Sequence, residues 1–226
     1  MNADALANAD ALININGGRV PTLEVLLIMT IISLLPSILV MMTSFTRIII
    51  ILSFTRNALG VQQSPPNMVL VGIALFLTLF IMDPVIKDVN TNAYQPYIRE
   101  EITQREALDR AAVPMKRFML KQTETATLNL FVDLSNTESP ENVEELPMTV
   151  VIPSFMTSEL KRSFTAGFMI FLPFLLVDII VSSTLMSMGM VMLPPAMISL
   201  PFKLLLFVTV NGWELLFTNL VSSFHY

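Results

Sequence analysis

Two charges set inside otherwise apolar runs are the residues of this chain most able to do chemistry. Asp178 lies within the run Phe164–Met186, and Lys203 lies within Ala196–Leu220. A lone charge near a bilayer centre costs about 2.5–3.5 kcal/mol on insertion scales, so each needs a partner or a purpose. The midpoint of the two positions falls in Ser187-Met188-Gly189-Met190-Val191-Met192. An antiparallel hairpin turning there brings Asp178 and Lys203 to one depth, where pairing offsets much of each desolvation cost. Such a pair serves either as a proton or ion relay or as a lock on the hairpin. No third titratable group extends it into a chain, which favours the lock.

The second constellation is the alternation Met186, Met188, Met190, Met192. Methionine is flexible and polarisable. A ring of such side chains can close around an unfolded polypeptide and seal against ions when empty. Ordinary apolar filling of a turn is the plainer reading on composition. Gly189 and Pro194-Pro195 argue for a loop rather than a helix interior.

Enzyme signatures are missing. There is no HExxH zinc pair, no phosphate-cradling glycine loop, and no Gly-x-Gly-Asp setting around Asp83 or Asp178. The single histidine, His225, stands next to the C-terminus, where tails are rarely held in catalytic geometry. With no cysteine, disulfides, thiolate nucleophiles and thiolate metal sites fall away together. No catalytic residue, metal site or cofactor is expected. A net charge of −5 argues against nucleic acid, which needs a basic face.

The elements that must position these residues follow from how charge is segregated. Twelve acidic and six basic residues sit between Asp88 and Glu159, and long apolar runs flank that block. A water-soluble domain would scatter its charges, because every surface helix needs a polar face. The runs around Leu23–Met42, Met68–Ile86, Phe164–Met186 and Ala196–Leu220 are each near the roughly 20 residues that cross a bilayer. The expected fold is all-α, with membrane helical hairpins of about four long apolar helices. A small, mainly helical acidic insert separates the second from the third. The divisions are 1–20, an N-terminal segment; 21–87, the first hairpin; 88–160, the insert; and 161–226, the second hairpin with its methionine-rich turn.

Local signals refine this outline. Pro36 marks a kink in the first run. Arg47 and Arg56 follow, nine residues apart, which on a helix is about 900° of rotation, so they do not share a face. Each must find water, a headgroup or an acceptor of its own. Ser64 is placed to cap a helix with Pro65 in its first turn. The second run closes at Asp83-Pro84. Within the insert, a helix over Tyr97–Arg110 is interrupted by Pro114 and resumes over Met115–Leu134. Asn136–Pro147 is loop by turn chemistry, and Pro153 opens a helix leading into the third run.

So small an insert is weakly stable alone, which suggests packing against copies or partners. Phe118, Phe131 and Glu159 are the candidate assembly contacts. The alternative, that the two phenylalanines serve only the insert's own core, stays open. Arg47 and Arg56, on a short connection, favour a cytoplasmic placement for it, with the insert and both termini outside. Met1–Arg19 lacks the basic start and apolar stretch of a secretory signal. On that reading the chain inserts through its first run, or the sequence begins after cleavage.

The strings Met41-Met42-Thr43-Ser44-Phe45-Thr46-Arg47-Ile48, Arg56-Asn57-Ala58-Leu59-Gly60 and Gln62-Gln63-Ser64-Pro65-Pro66-Asn67 carry a further signal. So do Thr157-Ser158-Glu159-Leu160-Lys161, Leu172-Pro173-Phe174-Leu175, Leu200-Pro201-Phe202-Lys203-Leu204 and Gly212-Trp213. Together they resemble the FliP family of flagellar type III secretion export-gate proteins, over nearly everything beyond the first 20 residues. The insert, with Phe118-Met119-Leu120-Lys121-Gln122-Thr123, is similar to flagellar rather than injectisome members. The resemblance implies a pore-forming subunit in the bacterial inner membrane at the flagellar basal body. Several copies would assemble with two smaller membrane proteins, FliQ-like and FliR-like, beside other export and basal-body ring proteins, and pass unfolded flagellar subunits. It places the pore gasket on Met188, Met190 and Met192, with Val191 where many relatives carry methionine. It also implies a cleaved signal peptide, and helices raised largely out of the bilayer once assembled.

Two other functions compete. A small-solute or ion transporter would use the Asp178–Lys203 pair, but transporter folds commonly carry internal repeats and none is evident here. A purely structural anchor for a membrane ring would need no methionine gasket.

Overall fold

The computed structural model describes residues 13–15, 18–20, 22–61, 63–135, 142–190 and 192–224. His225, Val191 and the stretch 136–141 of the expected loop lie outside the described residues, as does most of the N-terminal segment. The chain divides into two bodies, 1–41 and 42–226. The first holds an antiparallel pair of three-residue strands, β1 (Ile13–Ile15) and β2 (Gly18–Val20), which qualifies the all-α expectation. Helix α1 (Thr22–Met42) follows, with Pro36 inside it.

The second body is built around α2 (Phe45–Leu59). Ile48, Leu52, Thr55 and Ala58 recur at three- and four-residue steps and are fully buried, so this helix is a core element along one stripe. It stops at Gly60, whose φ of +80° is the left-handed conformation that glycine adopts without a Cβ clash. Helix α3 (Asn67–Val89) starts with Pro66 in the cap position, so Ser64 does not cap it. It also does not close at Asp83-Pro84. Pro84 is exposed, so the backbone bond it removes lies on the outer side. The helix runs on through a π-turn, Asn90–Tyr94, into α4 (Gln95–Ile98).

In the insert, caps decide the boundaries rather than prolines. Helix α5 (Gln104–Gln122) begins at a Thr103/Glu106 capping box and carries Pro114 buried within it. The break expected at Pro114 therefore falls earlier, at 99–103, where Glu100 has φ +58°. Helix α6 (Thr125–Leu134) is separate, so Met115–Leu134 is not continuous. A 3-10 turn, Val143–Glu145, leads to Pro147, which caps the 40-residue α7 (Met148–Ser187). Pro153 is inside that helix rather than at its start.

At 1.5 Å per residue α7 is about 60 Å long, roughly twice a hydrocarbon core. Its first half packs in the insert and its second half is the apolar run, so residue 160 falls inside a continuous helix. Helices α8 (Pro195–Thr209) and α9 (Gly212–Ser222) replace the single run Ala196–Leu220. They are bent by 62°, with Asn211 in the left-handed conformation at the break. Asparagine tolerates that conformation better than most residues. Among the described residues, two helices are long and apolar enough to cross a membrane, Asn67–Ile98 and Met148–Ser187. A third joins them if the bent pair counts as one span.

One apolar core joins these elements. Ile48 and Leu52 of α2, Leu70 and Ile81 of α3, Met119 of α5, and Val151 and Phe155 of α7 are all buried in it. The insert thus shares its interior with the helices it separates. Phe54 of α2 packs directly on Gly167 of α7. A Cβ at position 167 would lie 2.5 Å from the Phe54 ring. Gly167→Ala is expected to destabilise the protein by about 1–3 kcal/mol through overpacking, read as a lower Tm. Pairing it with Phe54→Ala should recover part of the loss.

Candidate functional site

The end of α7 is shaped by its own carbonyls. Gly189 (φ +76°) donates its N–H to Met186 O at 3.1 Å, and Met190 donates to Leu185 O at 3.0 Å. This double bond set is a Schellman motif, which ends the helix and reverses the chain. Pro194-Pro195 then starts α8, since a proline at the first helical position gives up only an orphaned donor. The turn is apolar and unpartnered within the chain. Met188 and Met190 are exposed, and Met192 is 98% exposed.

Below the turn, Lys203 Nζ lies 2.6 Å from Asp178 Oδ2, and Ser199 Oγ donates to Asp178 Oδ1 at 2.6 Å. Ser199 is one helical turn before Lys203, so both reach the same carboxylate from one face of α8. Sequence reasoning did not single out Ser199, although its four-residue spacing from Lys203 was there to be read. Lys203 is buried and sits beside Gly60, at the C-terminal end of α2. The partial negative charge of that helix end favours a cation there.

A second charged group lies at the other end of α2. Arg47 Nε donates to Glu159 Oε2 at 2.8 Å, and Nη2 donates to Glu159 Oε1. Nη1 donates to Ser223 Oγ at 3.0 Å and to Ser223 O at 3.1 Å. The guanidinium carbon stands 3.8 Å from the centre of the Phe224 ring. Arg47 is 2% exposed and Glu159 0%. Arg56, in contrast, bonds Asn67 Oδ1 at the connection to α3.

The structure places the remaining candidate residues as follows. Arg47 and Arg56 do not stand on one side. The former is buried at the insert end of α2 and the latter lies at the opposite end. Glu159 is buried within the chain, with its carboxylate on Arg47. Phe118 is likewise buried, with ring centres 6.0 Å from Phe155 and 6.4 Å from Phe224. Phe131 is only partly buried and packs against the same core. The chain end supplies Ser223 and Phe224, which nothing in the local sequence marked as partners of Arg47.

Removing one member of the Asp178–Lys203 pair leaves an uncompensated, partly buried charge. Lys203→Ala and Asp178→Ala are each expected to cost about 1–3 kcal/mol, between exposed and fully buried pairs. Thermal unfolding of the two variants and of the charge swap checks this. The swap should regain part of the loss.

Comparison with known proteins bears on what this geometry belongs to. Residues 28–220 match the FliP family. The chain is 50% identical to the flagellar biosynthetic protein FliP of Pectobacterium carotovorum over 212 residues, covering 93% of this chain and 82% of that protein. It is 50% identical to the flagellar biosynthetic protein FliP of Bacillus subtilis over 203 residues, or 90% of this chain and 92% of that one. Against the protein of the same name from Aquifex aeolicus the identity is 49% over 210 residues, 92% and 88% of the two chains. The chain belongs to the FliP family.

Proposed function

We propose that this protein is a pore-forming subunit of the flagellar protein export gate, seated in the bacterial inner membrane. In this reading several copies, with FliQ-like and FliR-like membrane proteins, enclose a conduit for unfolded flagellar subunits. The relatives' shared name, flagellar biosynthetic protein, supports the flagellar assignment. What carries the conduit reading is the methionine turn. It is a loop of exposed, flexible apolar side chains held at a hairpin tip by a fixed Schellman motif. Repeated around an axis, Met188, Met190 and Met192 form a compliant seal.

The outward faces of α3 and α7 support assembly. Phe76, Phe80, Phe168 and Leu176 are large, apolar and exposed, which is a surface for neighbouring subunits or lipid. Both oxygens of Asp178 are engaged inside the hairpin, which supports a lock rather than an ion relay.

The test replaces Met188, Met190 and Met192 together with alanine in the assembled complex. Ion leak across the membrane at rest, or altered export of flagellar subunits, is the expected outcome. Tight membranes and unchanged export would leave only a structural anchor.

A further inference from the structure

Arg162 is a cation with no bonding partner in the account so far. It stands two residues before the apolar run of α7 and, among the described residues, makes no hydrogen bond or ion pair. Its neighbour Lys161 is already bonded to Glu124 at 2.6 Å. Arg162 is half-buried and lines a cavity of about 330 Å³ between α2, α7 and α9. Arg47, Ser223 and Asn219 are its other polar lining, while Ile51, Ala166, Ile170, Leu216 and Leu220 line the remainder.

The register of the helices gives this cavity a direction. Ala166 and Ile170 lie one and two turns beyond Arg162, into the apolar run. Ile51 is one turn beyond Arg47 in α2, which lies alongside. Leu216 is about two turns back along α9 from Ser223. The slot is therefore cationic at the polar edge of the run and apolar towards its middle. Glu159 feels the charge of Arg162 but makes no hydrogen bond to it, and its two oxygens are bonded by Arg47. Two guanidinium groups against one carboxylate leave a net positive charge at the mouth.

We propose that this slot binds a membrane phospholipid with an anionic headgroup, the phosphate on Arg162 and the upper acyl chain along Ala166, Ile170 and Leu216. A guanidinium fork matches two phosphate oxygens, and Arg162 stands at the polar end of the apolar run of α7. Arg47 contributes its field rather than bonds, since its donors are committed. An acidic side chain from a neighbouring copy would satisfy Arg162 but leave the apolar length of the slot unfilled. The site goes beyond the conduit reading and stands independently of it, requiring only that these helices meet lipid.

The experiment uses the detergent-extracted complex, titrated with phosphatidylglycerol or with phosphatidylcholine of the same acyl chains. Bound lipid is read by native mass spectrometry, and Tm is read in parallel. Phosphatidylglycerol should bind at least about fivefold more tightly than phosphatidylcholine, the contribution of roughly one basic side chain near the surface. Arg162→Gln should abolish the preference, and Lys161→Gln should keep it. Ala166→Phe, which fills the slot without changing charge, should weaken phosphatidylglycerol binding. The proposal is overturned by equal binding of the two lipids, by a preference surviving in Arg162→Gln, or by full binding in Ala166→Phe. It is also overturned if inorganic phosphate alone raises Tm as much as phosphatidylglycerol does, which would make this a free-anion site. Loss of oligomers in Arg162→Gln with the lipid preference intact would assign the residue to a neighbouring copy instead.

Discussion

A guanidinium taken out of solvent must have its donors met, and Arg47 places four hydrogen bonds on two distant parts of the chain. Glu159 of α7 takes two of its N–H groups, and the end of α9 takes others through the Ser223 hydroxyl and carbonyl. The ring of Phe224 covers one face. Breaking such a knot by removing one partner leaves a buried charge uncompensated, which is costly in any medium of low polarity. The rest of the architecture is consistent with keeping it closed. The 62° bend at Asn211 allows α9 to return to α2, and Gly212 lets the bend pack tightly against Phe207. With Arg47 tied at one end of α2, the other end, Gly60, lies beside Lys203. The two ion pairs therefore bracket one short, buried helix.

That bracketing links the insert to the methionine turn. Helix α7 carries Glu159 near the insert and Asp178 near the turn, about five helical turns apart on one continuous rod. Phe118 and Met119 of the insert lie in the same core as Ile48 and Leu52 of α2. A displacement of the insert is thus opposed by the same packing that holds the hairpin. The outward faces of α3 and α7 have no such internal partner. Their exposed phenylalanines and leucines are the surfaces left for assembly or lipid.

Much of this was legible in the sequence where the signal is local or periodic. Apolar runs of about 20 residues mark the long helices, and counting about the turn brings Asp178 and Lys203 together on paper. Their side chains do meet in the hairpin, while the membrane setting of that contact is part of the proposed function. Gly189 and Pro194-Pro195 marked the turn as a loop. Prolines misled, because Pro84, Pro114 and Pro153 are carried inside helices whose ends are decided by caps and by packing on a shared core. The break at Asn211 was hidden by an apolar run that continues through it. Arg47's partners were illegible for a different reason. Glu159 is 112 residues away and Ser223 is 176 residues away, and no periodicity reports on contacts at that range. Ser223 and Phe224 lie beyond the apolar run Ala196–Leu220, and the bend at Asn211 carries them back to Arg47.

The central claim is that the apolar faces of this chain exist to meet sister copies around a conduit. Native mass measurement of the detergent-extracted protein, made with and without the two smaller membrane proteins proposed as its partners, tests it most directly. The account predicts a discrete assembly containing several copies of this chain. A single chain that stays alone at every concentration, in either preparation, would contradict it.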